Sequence, residues 1–143
     1  MLIMSDKTST PVGVWELVSQ VAEWPDGSIR EPFGPHPSGR LVYDGNGHVM
    51  AMIVGERRNE AAGNPCPPDA QSLFTAYFGT YHVELATSEI VHHVTTSLNG
   101  SQASGELRRS FRIEDDKLHL SFSRIRASAQ VTARLVWKRT SPS

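Results

Sequence analysis

The sequence predicts an all-β protein of about eight antiparallel strands, an up-and-down β-barrel or a sandwich. Three observations carry that prediction. Apolar and polar residues alternate with period two along most of the chain, and helical periodicity is scarce. The alternating runs follow one another at short intervals, separated by clusters of Gly, Asn, Asp and Pro. With 143 residues the chain is long enough to bury one substantial core. About eight consecutive strands in one small domain suit a barrel or a sandwich.

In chain order, "GVWELVSQV" (13–21) reads as the first strand. "WPDGSIREPFGPHPSG" (24–39) holds four prolines and three glycines, too many for regular structure through its length. "RLVYD" and "HVMAMIV" follow, joined by "GNG", and Asn-Gly between alternating runs is a strong hairpin signal. Residues 55–71 form a second long connection, with one helical turn expected near Pro68-Asp69. Further strands are expected over 73–85, 89–98, 106–113, 117–123 and 131–139, with "EDDK" as a tight turn. The domain is expected over 12–139, with tails at 1–11 and 140–143.

Composition narrows the function. The 14 Lys+Arg nearly balance the 15 Asp+Glu, which gives no reason to expect nucleic acid or a membrane surface as partner. Up to Ser104 there are 5 basic and 11 acidic residues; from Gly105 onward there are 9 and 4. Late basic strands pairing with early acidic ones would account for that division. Cys66 is the lone cysteine, so an intramolecular disulfide and a cysteine zinc site are both excluded. No signal peptide and no apolar run of membrane length is evident, and a cytoplasmic location is expected. No phosphate loop and no cofactor motif occurs, so no cofactor is expected.

Side chains alternate across a strand, so each run sorts into an inner and an outer face. In "FGTYHVELATSEIVHHV" (78–94) a hairpin turning about Thr87-Ser88 puts Tyr77, Tyr81, Val83, Ile90, His92 and Val94 on the core face. His82 and His93 then form an outer cross-strand pair, with Glu84 on the same face; a metal there would be held only weakly. Adjacent histidines on a strand point opposite ways, so His92 and His93 cannot share a metal, and no metal site is assigned. Other strands place Tyr43, Met50 and Met52 inward, then Arg109 with Phe111, Leu120 with Phe122, and Trp137. Thr96 joins the interior polar set. The first strand sorts Trp15, Leu17, Ser19 and Val21 against Glu16 and Gln20. An interior Arg109 without a carboxylate on its face implies a wet cavity or a ligand, unless it snorkels at a rim.

"GVWELVS", "EPFGPHPSGRLVYDGNGHV", "AYFGTYHVE", "VHHVTTSLN" and "RLVWKR" together resemble the bacterial and fungal lipocalin-like domain family, from about Val12 to about Arg139. Gly13-x-Trp15 is similar to the first-strand signature of lipocalins, whose tryptophan packs against an arginine of the last strand at the closed barrel end. Arg139 matches that arginine in position, with Arg134 as the alternative. The resemblance implies an antiparallel barrel around a pocket, and no particular reaction. Three functions stay open. One is a barrel holding an apolar or aromatic metabolite that is carbonyl-bearing or anionic, lined by Tyr43, Met50, Met52, Tyr77, Thr96, Phe111, Leu120, Phe122 and Trp137. The second is a cofactor-free cyclase, isomerase or dehydratase, with His92 as acid/base and Arg109 with Tyr81 or Tyr77 stabilising an oxyanion. The third is an interaction module with a filled interior. A homodimer is compatible with each.

Overall fold

The computed structural model describes residues 10–55, 74–98 and 105–140. Cys66, the Pro68-Asp69 turn and the outermost residues of both tails lie outside them. The described residues contain nine strands and no helix. They are β1 (Gly13–Glu23), β2 (Ile29–Arg30), β3 (Ser38–Tyr43), β4 (His48–Val54), β5 (Phe74–Glu84), β6 (Glu89–Ser97), β7 (Glu106–Glu114), β8 (Lys117–Arg126) and β9 (Ala129–Arg139). Neighbouring strands in the order β1-β3-β4-β5-β6-β7-β8-β9 pair antiparallel, and β1 also pairs β9, which closes an eight-stranded barrel. The two-residue β2 pairs β1 beside this circuit.

The turns β3–β4, β5–β6 and β7–β8 share one end with the start of β1 and the end of β9. That end is sealed. Trp15 is wholly buried, its indole donates to the Pro11 carbonyl at 2.8 Å, and the Arg139 guanidinium lies 4.2 Å over its ring. Arg139 also donates to the Val12 and Thr10 carbonyls, which straps the chain entering β1 to the end of β9. Gly13 is needed there: its φ is 141°, and a Cβ would sit 3.0 Å from Arg139 Nη1. Arg134, the alternative partner, points outward to Glu23 at 3.0 Å.

Inner-face residues of all eight strands form one core. Trp15, Leu41, Tyr43, Ile90, Leu118 and Trp137 are its most buried large members. Outside, late basic side chains meet early acidic ones: Arg108 bonds Glu84 at 2.8 Å, and Arg134 bonds Glu23. This answers the uneven division of charge along the chain. Val91 faces outward yet is fully buried, standing between His82 and Arg108 in the pairing register.

Three shifts of register correct the face assignments made from alternation alone. A two-residue Asn46-Gly47 loop would oppose Tyr43 to Met50. The loop instead closes with Asp44 N–H on the His48 carbonyl, and Tyr43 opposes Val49. A one-residue slip exchanges the faces, so Val49, Ala51 and Ile53 are buried while Met50 and Met52 are exposed. A bulge at Val18 does the same to β1: Leu17 opposes Trp137 but Ser19 opposes Val136, so Gln20 and Ala22 turn inward and Val18 outward. A bulge at Thr95 lets Gly79 oppose Val94 while Phe78 opposes Thr96, which puts Thr96 and Leu98 outside. Gly79 makes that bulge possible, because a Cβ there would fall on the His93 backbone carbonyl. The β5–β6 turn itself lies one residue earlier than a Thr87-Ser88 centre, so Tyr81 opposes His92; an even shift of two preserves every face.

Candidate functional site

The barrel encloses a cavity of about 530 Å³, a size suited to one small metabolite. Most of its lining is apolar: Leu41, Ala51, Ile53, Leu120, Leu135 and Phe122 among others. Trp24, Arg30 and Phe33 of the β1–β3 connection line it as well, and the Arg30 guanidinium stacks 4.2 Å over Trp24. Into this surface β5, β6 and β7 bring Tyr77, His92 and Arg109.

His92 is 1% exposed and held between two phenols. Its Nε2 lies 2.7 Å from the Tyr43 hydroxyl, and its Nδ1 lies 2.7 Å from the Tyr77 hydroxyl. Burial, the Arg109 charge and His93 hold its pKa down to about 3, so the imidazole is neutral at physiological pH. A neutral imidazole carries one N–H and each phenol one O–H. The two bonds of the trio use two of these three hydrogens. Either Tyr77 donates to Nδ1 and Nε2–H donates to Tyr43, or the whole relay is reversed. In each state one phenol keeps an unspent O–H. In the reversed state it is Tyr77, which faces the cavity.

Arg109 is 9% exposed, and its guanidinium carbon lies 3.6 Å over the centre of the Phe122 ring. Arg124 approaches the same ring at 4.9 Å. Among the described residues no carboxylate pairs with Arg109. Burial lowers its pKa, against the opposing pull of Tyr77 and Tyr43. Burial raises both phenols, Tyr43 most, and the Arg109 charge works against the rise.

Arg109 also stands at a seam. The first half of β7 pairs β6, the second half pairs β8, and Ser110 alone belongs to both registers. A second recess opens over the unpaired part, and Arg109, Phe122 and Arg124 line both it and the cavity. These three side chains therefore stand between interior and exterior.

Of the residues singled out from sequence, Tyr77, His92, Arg109, Leu120, Phe122 and Trp137 come together at the cavity. Tyr43 stands behind His92, bonded to it and fully buried. Tyr81 does not join them. Its hydroxyl donates to the Asp44 carbonyl at 2.8 Å and its ring packs edge-on against Tyr43, 4.7 Å between centroids, toward the sealed end. Phe111 packs half-buried against the core without lining the cavity. Met50, Met52 and Thr96 lie on the outer wall for the register reasons given above. Alternation missed Gln20, Ala22, Trp24, Ala51 and Ile53, all of which line the cavity. A signal existed: after Leu17-Val18 the apolar alternation of β1 breaks at Ser19-Gln20 and resumes with opposite parity at Ala22 and Trp24.

The outer histidines are engaged with one another. His93 Nε2 and His82 Nδ1 lie 2.9 Å apart, and His82 Nε2 lies 2.9 Å from Glu84. Both His82 nitrogens are thereby used, and no group of three metal-ligating side chains occurs among the described residues.

A protein-family model described as a lipocalin-like domain matches residues 12–140. The match covers most of the chain, and the chain belongs to that family. A search of curated proteins finds no match.

Proposed function

We propose that this lipocalin-like barrel binds a small, largely apolar metabolite through a carbonyl or anionic oxygen. Arg109 carries the reading. A guanidinium withdrawn from water without a counter-charge costs free energy that a ligand oxygen would recover. Arg109 is aimed by its stack on Phe122 and reaches the oxygen together with Tyr77, whose spare O–H appears when the relay is reversed. The aliphatic and aromatic lining takes the rest of the molecule.

Two fluorescent probes of the same ring system test this: the anion 1-anilinonaphthalene-8-sulfonate and neutral N-phenyl-1-naphthylamine. In R109Q the anion is expected to bind at least about tenfold more weakly, a loss on the order of one charge-assisted hydrogen bond. The neutral probe should change little. Equal affinity of R109Q for the anion would overturn the reading.

The relay favours a second reading, a cofactor-free isomerase, cyclase or dehydratase. Arg109 and the spare Tyr77 O–H would hold the developing enolate oxygen while a water admitted with the substrate takes the α proton, and His92 with Tyr43 keeps the Tyr77 hydroxyl in its donating state. Of the two phenols considered for this role, Tyr77 is the one that lines the cavity. An imidazole whose pKa is about 3 is a weak base, so binding takes precedence over catalysis. Deuterium exchange α to the carbonyl of 2-tetralone, followed by NMR in D₂O, decides the matter. Exchange accelerated by the protein and lost in Y77F would establish catalysis; no acceleration would remove that reading.

A further inference from the structure

The cavity has a second polar pole that none of the foregoing uses. Gln20 Oε1 and Trp137 Nε1 are buried side-chain atoms without a hydrogen-bond partner among the described residues. Gln20 is 7% exposed and Trp137 2%, and both line the cavity. They are near neighbours across the β1–β9 pair: Gln20 opposes Leu135, and Trp137 is the next inward residue along β9. Buried polar groups are nearly always satisfied, so an acceptor and a donor left open on one wall point to a group that satisfies both. A hydroxyl donates and accepts through one oxygen. Placement adds the second half of the argument. In the closed circuit, β1 lies four strands from β6 in either direction, and β9 four strands from β5. Gln20 and Trp137 therefore stand on the wall opposite His92 and Tyr77, with the apolar lining between them.

We propose that the ligand is oxygenated at both ends: an apolar, aromatic or polycyclic body with a carbonyl or carboxylate facing Arg109 and Tyr77 and a hydroxyl facing Gln20 and Trp137. The proposal rests on the binding reading above and extends it to a ligand class, the hydroxylated aromatic acids and ketones. It also gives the β1 bulge a function. Without the extra residue at Val18, Gln20 would face solvent and the second pole would be lost.

The test uses matched pairs of acids with and without the distal hydroxyl: 6-hydroxy-2-naphthoic acid against 2-naphthoic acid, and 4′-hydroxybiphenyl-4-carboxylic acid against its parent. Isothermal titration of the intact protein should show the hydroxyl strengthening binding at least about tenfold in one pair. That gain should vanish in Q20M and shrink in W137F. It should persist in R109Q, where both members of the pair weaken together. Parent acids that bind without any gain from the hydroxyl would overturn this proposal and leave the Arg109 reading standing. Failure of all four acids to bind would overturn both. A readout without ligand guards against misfolding: Q20M removes an unsatisfied buried acceptor, so its melting temperature should equal or exceed that of the wild type. Marked destabilisation of Q20M would show that Gln20 is satisfied by the protein itself and would overturn the proposal.

Discussion

His92 and His93 are adjacent in sequence, yet they belong to different chemical environments. His92 faces inward, neutral, clamped between two phenols at 2.7 Å and set beside the Arg109 guanidinium, which meets no carboxylate among the described residues. His93 faces outward, stacked on His82 with ring centroids 5.0 Å apart, at the edge of a lattice formed by Glu84, Glu89, Glu106 and Arg108. The inner group keeps its geometry through burial and directional bonds. The outer group has charge in abundance, but water and salt screen it. The wall that separates them is one strand thick, so the function of each histidine is decided by which way a single Cβ points.

The strongest way to break this contrast is to disturb the backbone that enforces it. Gly79→Ala drives a Cβ into the His93 carbonyl opposite the Thr95 bulge. It is expected to cost about 3 kcal/mol, since neither backbone can yield without shifting the β5–β6 register. Urea unfolding monitored by tryptophan fluorescence measures that loss. Next in size is the comparison of the two histidines themselves. His92→Gln disturbs the relay and leaves a buried phenol poorly satisfied, at about 1–3 kcal/mol, whereas His93→Gln should stay within about 1 kcal/mol. Equal effects would mean that the inner relay contributes no more than the surface pair.

Acid sharpens the contrast further. The folded pKa of His92, about 3, lies below the ordinary value of 6.5, so the unfolded chain takes up the proton first. Stability due to the neutral ring is complete above pH 6.5 and is lost as pH falls from there toward 3, with a slope approaching about 1.4 kcal/mol per pH unit. On the outer face, hydrogen bonds from Arg108 and then His82 hold the Glu84 carboxyl down to about 2 from 4.5. Its contribution is present above pH 4.5 and is lost only as pH falls from there toward 2. Unfolding curves between pH 5 and 6.5 should therefore separate His92→Gln from wild type, with the acid slope reduced, and leave Glu84→Gln parallel to wild type. The smallest effect is ionic: Glu84→Gln should lower the melting temperature slightly in dilute buffer, and salt near 1 M should erase the difference. His92→Gln should not respond to salt in this way.

Sequence alternation sorted the residues of β7, β8 and β9 onto the faces they occupy, and those of β5 and β6 as far as Val94. These strands have ordinary pleats and a strict period of two. The errors cluster at three places where one residue is added. The Asp44–His48 loop is one residue longer than an Asn-Gly turn requires, which moved Met50 and Met52 outside. The bulge at Val18 brought Gln20 in, and the bulge at Thr95 sent Thr96 out. Periodicity is a local property, whereas a bulge is chosen by what the partner strand and the curvature of the closed wall demand. Tyr81 illustrates another kind of miss. Its parity is inward, but the inner surface has two ends, and the Asp44 carbonyl drew its hydroxyl to the sealed one.

By itself the sequence determined the strand content and the entry of His92 and Arg109 into the interior, because an amphipathic strand has one face that avoids water; the Trp15–Arg139 seal was implied by the lipocalin resemblance, which left Arg134 open as the partner. Tertiary structure decided which polar groups meet. Tyr43, Tyr77 and His92 join only because β3, β5 and β6 curve toward a common axis. Gln20 and Trp137 stand opposite them only because β1 closes on β9. The strand pattern encodes an inside, and barrel closure makes that inside a site with two poles.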